Sequence, residues 1–432
     1  MPQIDDFRHY AIEVKPIGAA CNLRCEYCYY LGKGGSDEFV IRQQGDANFK
    51  FATHGRRITN SPERSSALMS DAVLERYVQQ VIAIHGRQAE IEFAWHGGEP
   101  TLAGIPFFEK AVQLQQKYGA GRRILNTLQT NGTLLTDDWC RFFHNNHFRI
   151  GISIDGPEHL HNIYRKDAHG EGTFARTMHG LELLQKHGVA FNTLTTVNAA
   201  NAAHAVEVYD FLREFSDFMQ FLPVVESLPK AMDNGNVAMP PGLYTPLALR
   251  RGVGGEAPFS VNPEAYGRFL CTVLDRWLAQ DVGRKFVQVI EAAIGNITRR
   301  PAGLCVHEAV CGHCGVVEKN GDLYRCDRYV FPEYRIGNIM DAPLHDMMQT
   351  NRRFGEYKLD SLPTQCLHCD VADLCFGGCP KDRLLERMTI GTSPSGPVPK
   401  VERRNYLCPG YKMFFQYVRQ QYPKILRASG GQ

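Results

Sequence analysis

Cys21, Cys25 and Cys28 stand in the stretch CNLRCEYCYY, a C-x3-C-x2-C triplet at the end of the first apolar run. A 4Fe-4S cubane normally takes four cysteine thiolates, so a triplet with no fourth cysteine nearby leaves one iron open to a ligand from outside the chain. Zinc, or three buried thiols with no metal at all, would use the same residues. A second concentration of thiols lies in the C-terminal part: Cys305, Cys311, Cys314, Cys326, Cys366, Cys369, Cys375, Cys379 and Cys408. The strings CGHCGVVEKNGDLYRC and CLHCDVADLCFGGC give C-x9-G-x4-C followed by C-x2-C-x5-C-x3-C, with a lone cysteine before Pro409. Eight of these nine make two full sets of four. A cubane saturated by four thiolates has no iron left for a substrate and suits electron transfer. Zinc stays open here too, because C-x2-C pairs also build zinc ribbons. Cys314 and Cys140 are left over and read as buried or incidental thiols.

These thiols have to be positioned by a chain of 432 residues, 44% hydrophobic, which is enough for two or three cores rather than one. With 48 basic and 46 acidic residues interspersed, the net charge of +2 gives no electrostatic footprint for nucleic acid or an acidic membrane surface, and neither partner is expected. The N-terminus MPQIDDFRHY lacks a basic region followed by an apolar one, and no apolar run reaches eighteen residues. A cytoplasmic protein is expected, and in that compartment clustered cysteines read as metal ligands rather than disulfides.

The first two-thirds alternates short apolar runs, at 10–16, 91–95, 124–129, 149–154, 189–196 and 218–225, with helical patterns at 69–85, 105–119, 137–145, 173–187 and 202–215. This is the signature of βα units on a parallel sheet. No G-x-G-x-x-G opens the first helix, which speaks against a doubly wound dinucleotide fold and for a barrel or partial barrel. Functional residues then belong in loops at the C-terminal ends of strands, where the triplet falls after the first one. Residues 32–66 break the rhythm and read as a surface insertion or lid. An irregular stretch at about 227–262 precedes an amphipathic helix at 263–280. The expected divisions are 1–235, 236–304 for linker and helices, 305–415, and a tail at 416–432. From Cys305 onward the pieces look short and hairpin-like, as in a small domain held by metal rather than by a large apolar core.

WHGGEP at 95–100 follows the second strand, and Gly97 and Gly98 let backbone approach a ligand closely. LQTNGTLL at 128–135 and SIDGP at 153–157 end the third and fourth strands with short polar groups. With the triplet, this set resembles the radical S-adenosylmethionine (SAM) superfamily, and the C-terminal cysteines resemble its SPASM auxiliary-cluster domain. The resemblance implies a partial (β/α)6, TIM-like barrel plus a small cysteine-rich domain holding two clusters. It implies three 4Fe-4S clusters: one on Cys21, Cys25 and Cys28 with SAM on the open iron, one on Cys305, Cys311, Cys326 and Cys379, and one on Cys366, Cys369, Cys375 and Cys408. Tyr27, Gly97, Gly98, Glu99 and Ser153 would border SAM.

CDRYVFPEYRIGNI at 326–339, FLPVVES at 221–227 and SIDGPEHLHNIYR at 153–165 narrow the likeness to anaerobic sulfatase-maturating enzymes, apart from residues 32–66. Such enzymes oxidise a cysteine or serine of a sulfatase to Cα-formylglycine. By that resemblance Asp327 is the catalytic base, and Tyr30, His96, Gln129 and Asn131 line the substrate cleft. SAM is cleaved to a 5'-deoxyadenosyl radical that takes hydrogen from the substrate Cβ, Asp327 takes the S–H or O–H proton, and the remaining electron leaves through an auxiliary cluster. The chemistry needs such a cofactor, because that C–H bond is too weakly acidic for acid-base catalysis. A flavodoxin or ferredoxin would be the electron donor. The alternatives are a maturase forming crosslinks in a ribosomally made peptide, for whose usual N-terminal recognition domain the roughly nine residues before the first strand leave no room, and a non-catalytic iron-sulfur carrier.

Overall fold

The computed structural model describes residues 10–30, 68–86, 90–226, 259–393 and 396–430, with two-residue strands at 228–229 and 244–245. The expected insertion at 32–66 lies outside the described residues, as does most of the irregular stretch after residue 226. Six parallel strands follow one another in order across the sheet: β1 Ala11–Lys15, β2 Glu90–Trp95, β3 Arg123–Thr130, β4 Phe148–Ser153, β5 Ala190–Val197 and β6 Phe218–Pro223. Each lies within two residues of its expected place. The helices between them are α1 Asp71–Ile84, α2 Ile105–Gly119, α3 Asp137–Asn145, α4 Glu158–Tyr164, α5 Phe174–Lys186 and α6 Ala205–Arg213. Ser70 and Thr136 cap α1 and α3 by accepting from the amides of Val73 and Trp139, which satisfies donors that a helix start leaves open. The short α4, within SIDGPEHLHNIYR, is an element the periodicity does not announce.

The sheet does not stop at β1. Its outer edge carries β8 (Cys314–Glu318) in parallel, pairing Ala11 with Cys314 through Lys15 with Glu318, and then antiparallel β9 (Asp322–Tyr324) and β10 (Arg335–Asn338). The two-residue β7 (Phe286–Val287) closes the other edge beside β6, giving ten strands. The cysteine-rich part is thus hairpin-like, as expected, yet it shares the barrel's sheet. It also shares the apolar core. Among the described residues one buried cluster runs from Ile12 and Tyr77 through Val317, Leu323, Met348 and Leu374 to Phe414 and Ile425, with a three-residue satellite of Tyr30, Val316 and Val330. Several separate cores, and a C-terminal part held by metal alone, are therefore not what the chain builds. The reason is the β1–β8 pairing, which aligns the two regions' apolar faces.

The C-terminal region also holds two long helices, Leu344–Asp360 and Cys408–Ala428, the latter running unbroken across residue 416. The first joins the barrel through Gln80, whose amide oxygen accepts from Leu344 N–H and whose Nε2 donates to Ala342 O at 3.3 Å.

Candidate active site

Within β1, Ile12 and Val14 turn toward the helices, so strand alternation sends Glu13 and Lys15 to the other face. The sheet register sets Glu13, Ala94 and Thr127 in one row and Gln129 and Gly151 in another, so that face carries polar side chains at the C-terminal ends of the strands.

The loop leaving β1 carries the triplet. Cys28 N–H donates to Cys25 O at 3.0 Å, and Leu23 N–H reaches Cys21 Sγ at 3.3 Å. Gly98 N–H donates to Gly18 O and Glu99 N–H to Ala20 O, both at 2.9 Å. A Cβ on Gly98 would fall 1.9 Å from Ala20 O. The Gly97–Gly98 pair therefore serves first the contact between the two loops. Both glycines then border a cavity shared with the three thiols, Leu23 and Tyr30. Burial pushes the Cys25 thiol up to about 12, so a metal bound there must displace protons.

Glu99 is turned away from that cavity. Its carboxylate is fully buried and accepts from Thr101 N–H (3.1 Å), Thr101 Oγ1 (2.7 Å), Thr130 Oγ1 (2.7 Å) and Asn131 N–H (2.8 Å). Asn131 in turn gives its amide to Asn22 Oδ1 at 2.9 Å, tying the β3 end to the cysteine loop. Ser153 Oγ accepts from Gln129 Nε2 at 3.0 Å, so two residues expected at different ligands hold each other. Tyr27 donates to Asp155 and accepts from Thr196 Oγ1 at 2.8 Å, while Asp155 faces Arg165 Nε at 2.9 Å. Burial opposes the charge on Asp155, but the Arg165 guanidinium holds its carboxyl below the usual range. This buried cluster clamps the cysteine loop to the ends of β4 and β5.

Asp327, one residue after Cys326, reaches into the barrel. It pairs with the fully buried Lys15 and accepts from Tyr29 Oη. Lys15 Nζ also lies 3.6 Å from the centroid of the Tyr30 ring, whose hydroxyl donates to Glu318. Burial alone would raise the Asp327 carboxyl, yet the Lys15 ammonium holds it well below the usual range. His96 Nδ1 is buried with no partner among the described residues, and burial pushes the ring down to about 4, so it is neutral. Burial, then the charge of Asp327, pushes Glu13 up to about 8. One ligand atom each from Glu13, His96 and Asp327 lie within 4.8 Å of one another.

Glu13, Lys15, Tyr29 and Glu318 were not among the expected site residues. A signal existed: charges at alternate positions of the apolar run AIEVK mark a face that is not packed on helices.

The family models that match are the radical SAM superfamily at residues 16–212 and an iron-sulfur cluster-binding domain, SPASM, at residues 305–370. The serine-type anaerobic sulfatase-maturating enzyme of Bacteroides thetaiotaomicron is 40% identical over 94% of this chain and 89% of its own. This chain belongs to the anaerobic sulfatase-maturating enzymes. The cysteine-type enzyme of Clostridium perfringens is 30% identical over 96% of this chain and 97% of its own. The structure of native anSMEcpe with bound AdoMet and Cp18Cys peptide matches with a TM-score of 0.73, at 29% identity over 97% of this chain and 98% of that one.

In this family member none of the fourteen cysteines forms a disulfide, including Cys271, which no spacing argument involved. Cys305, Cys311, Cys326 and Cys379 lie within electrostatic reach of one another. Cys366, Cys369, Cys375 and Cys408 form a second group in the same way. Two groups of four soft donors fit two cubanes. Cys314, expected to be a buried or incidental thiol, is half-buried at the start of β8, beside Cys305. Arg328 forms a bidentate pair with buried Asp382, at 2.8 and 2.7 Å. No helix among the described residues is long and apolar enough to cross a membrane.

Proposed function

We propose that this enzyme oxidises a cysteine or serine side chain of a sulfatase to Cα-formylglycine under anaerobic conditions. One arrangement carries the reading: Tyr30 borders the three-thiol cavity and lies under the Lys15 ammonium that pairs with Asp327, so one ring and one cation link the cavity to an ionised carboxylate. Cys21, Cys25 and Cys28 would hold the first cluster, and the Gly97–Gly98 backbone, Tyr27 and Ser153 would border SAM. Bound together, these groups supply hydrogen-atom abstraction at the substrate Cβ.

Asp327 takes the S–H or O–H proton, for which a carboxylate within hydrogen-bond reach is competent. Tyr30, His96 and Gln129 border the cleft, and neutral His96 has an unpaired nitrogen to offer a substrate peptide. Glu99 and Asn131 position the loops. Cys305, Cys311, Cys326 and Cys379 would hold the auxiliary cluster beside Asp327, and Cys366, Cys369, Cys375 and Cys408 the outer one. The reductant is a flavodoxin- or ferredoxin-type protein, and the reaction takes place in the cytoplasm.

The test is anaerobic incubation of the reconstituted enzyme with SAM, reductant and paired peptides carrying Cys-x-Pro-x-Arg or Ser-x-Ala-x-Arg, read by mass spectrometry beside 5'-deoxyadenosine. Aldehyde on either peptide is expected. Deoxyadenosine with both peptides unchanged would overturn the substrate assignment and favour a different peptide maturase.

A further inference from the structure

Lys358 lies near the end of the helix Leu344–Asp360 and is fully buried. Its Nζ donates to three carbonyls, Cys305 O at 2.7 Å, Val306 O at 2.9 Å and Glu308 O. Three acceptors around one nitrogen require three N–H bonds, which only the ammonium form has. No carboxylate pairs with it among the described residues. Burial works against its charge, and the nearby side chains that would be negative once ionised or metal-bound are those of Cys311, Cys305 and Cys379.

The helix is pressed against that ligand loop: a Cβ on Gly355 would fall 1.6 Å from Cys311 O. Arg383, also buried, extends the same wall. It donates to Lys358 O at 2.8 Å and Ser361 Oγ at 2.7 Å, within reach of Cys379, Cys366 and Cys311, and again has no acid partner among the described residues. The contrast is Arg328, which Asp382 neutralises.

A buried cation without a counter-anion is costly, and a four-thiolate cubane carries the net negative charge that would balance it. We propose that Lys358 is the counter-cation of the auxiliary cluster held by Cys305, Cys311, Cys326 and Cys379, and raises its reduction potential so that it accepts the electron lost by the substrate carbon. The proposal rests on the cluster assignment of the preceding section. One electron leaves the carbon as Asp327 takes the proton, and the oxidised cluster gains that electron. Reduction adds a negative charge beside Lys358, so the ammonium favours the reduced form.

The test is an EPR-monitored potentiometric titration of full-length holoenzyme, with a Cys21→Ala, Cys25→Ala, Cys28→Ala chain as reference for the auxiliary signals. Lys358→Gln keeps hydrogen-bond donors but not the charge, and Lys358→Arg keeps both. At the parent's midpoint, Lys358→Gln is expected to lower the reduced-to-oxidised ratio of one auxiliary cluster about tenfold, a downward shift of about 59 mV for one electron. Lys358→Arg is expected to stay within about threefold of the parent on the same scale. Full iron content with an unmoved midpoint in Lys358→Gln, or equal shifts in both variants, would overturn the proposal. Loss of one cluster's iron from Lys358→Gln alone supports it, and equal loss from both variants overturns it. Zinc in place of auxiliary iron in the parent would instead refute the cluster assignment itself.

Discussion

Gly98→Ala puts a methyl carbon 1.9 Å from Ala20 O and 2.5 Å from Ala20 C, where real Cβ contacts stay beyond 3.0 Å. The obstacle is backbone, so the cysteine loop must retreat by about 1.1 Å to reach that limit. The retreat strains the two 2.9 Å bonds, Gly98 N–H to Gly18 O and Glu99 N–H to Ala20 O, that hold the loops together. Each bond contributes about 1 kcal/mol net, and overpacking adds about 1–3 kcal/mol, so the local cost is about 3–5 kcal/mol. It falls one residue before Cys21. The expected result is a folded protein that loses the first cluster, with iron dropping from about twelve to about eight per chain and SAM cleavage abolished. Iron and sulfide analysis after anaerobic reconstitution, with a deoxyadenosine assay, reads both. Gly283→Ala is the control: its φ of +75° also disfavours a side chain, but nothing lies within 4 Å, so only the left-handed backbone cost of about 1–2 kcal/mol applies and iron stays full. Parental iron and SAM cleavage in Gly98→Ala would refute the close-approach argument.

Asp327→Asn is expected to cleave SAM yet form formylglycine about 10²–10⁴-fold more slowly, read as the ratio of the two products; an unchanged ratio removes Asp327 as the base. Lys15→Met strands the Asp327 carboxylate and is expected to cost about 3–5 kcal/mol, most of it recovered in Lys15→Met/Asp327→Asn. Denaturation midpoints of the four proteins in that cycle check this, and strictly additive losses would refute the pairing. Glu13, raised by burial from 4.5 to about 8, keeps its proton in the folded chain after the unfolded chain has released it. Its stabilising contribution is full below pH 4.5 and is lost as pH rises to about 8, at about 1.4 kcal/mol per unit at most. Glu13→Gln is expected to flatten the thermal midpoint across that window, and a slope identical to the parent's would count against the assignment.

The cysteines were legible because thiol spacing is local, and the six strands because apolar runs and turn residues are local too. What escaped the sequence depended on distant pairing. Nothing in AIEVK says that its edge will meet Cys314–Glu318, so neither the shared sheet nor the shared core could be read. Lys15 and Glu13 looked like ordinary polar alternation until the register placed them on the interior face with His96 and Asp327. The glycines of GGEP were read as room for a ligand, whereas the first claim on that space is the Ala20 backbone. Glu99 and Asn131 were chosen by motif, and their hydrogen bonds turn them toward the loops they brace.

The parallel pairing of β1 with β8 also orders events during synthesis. Residues 11–15 leave the ribosome early and their partners at 314–318 about 300 residues later, roughly 15–60 s at ordinary elongation rates. For that interval β1 is an unprotected sheet edge, the kind of surface that recruits other chains. The loop bearing Cys21, Cys25 and Cys28 hangs from this edge, so the first thiols to be made wait about 300 residues for a finished scaffold. Cofactor loading and completion of the chain are thereby bound into one schedule.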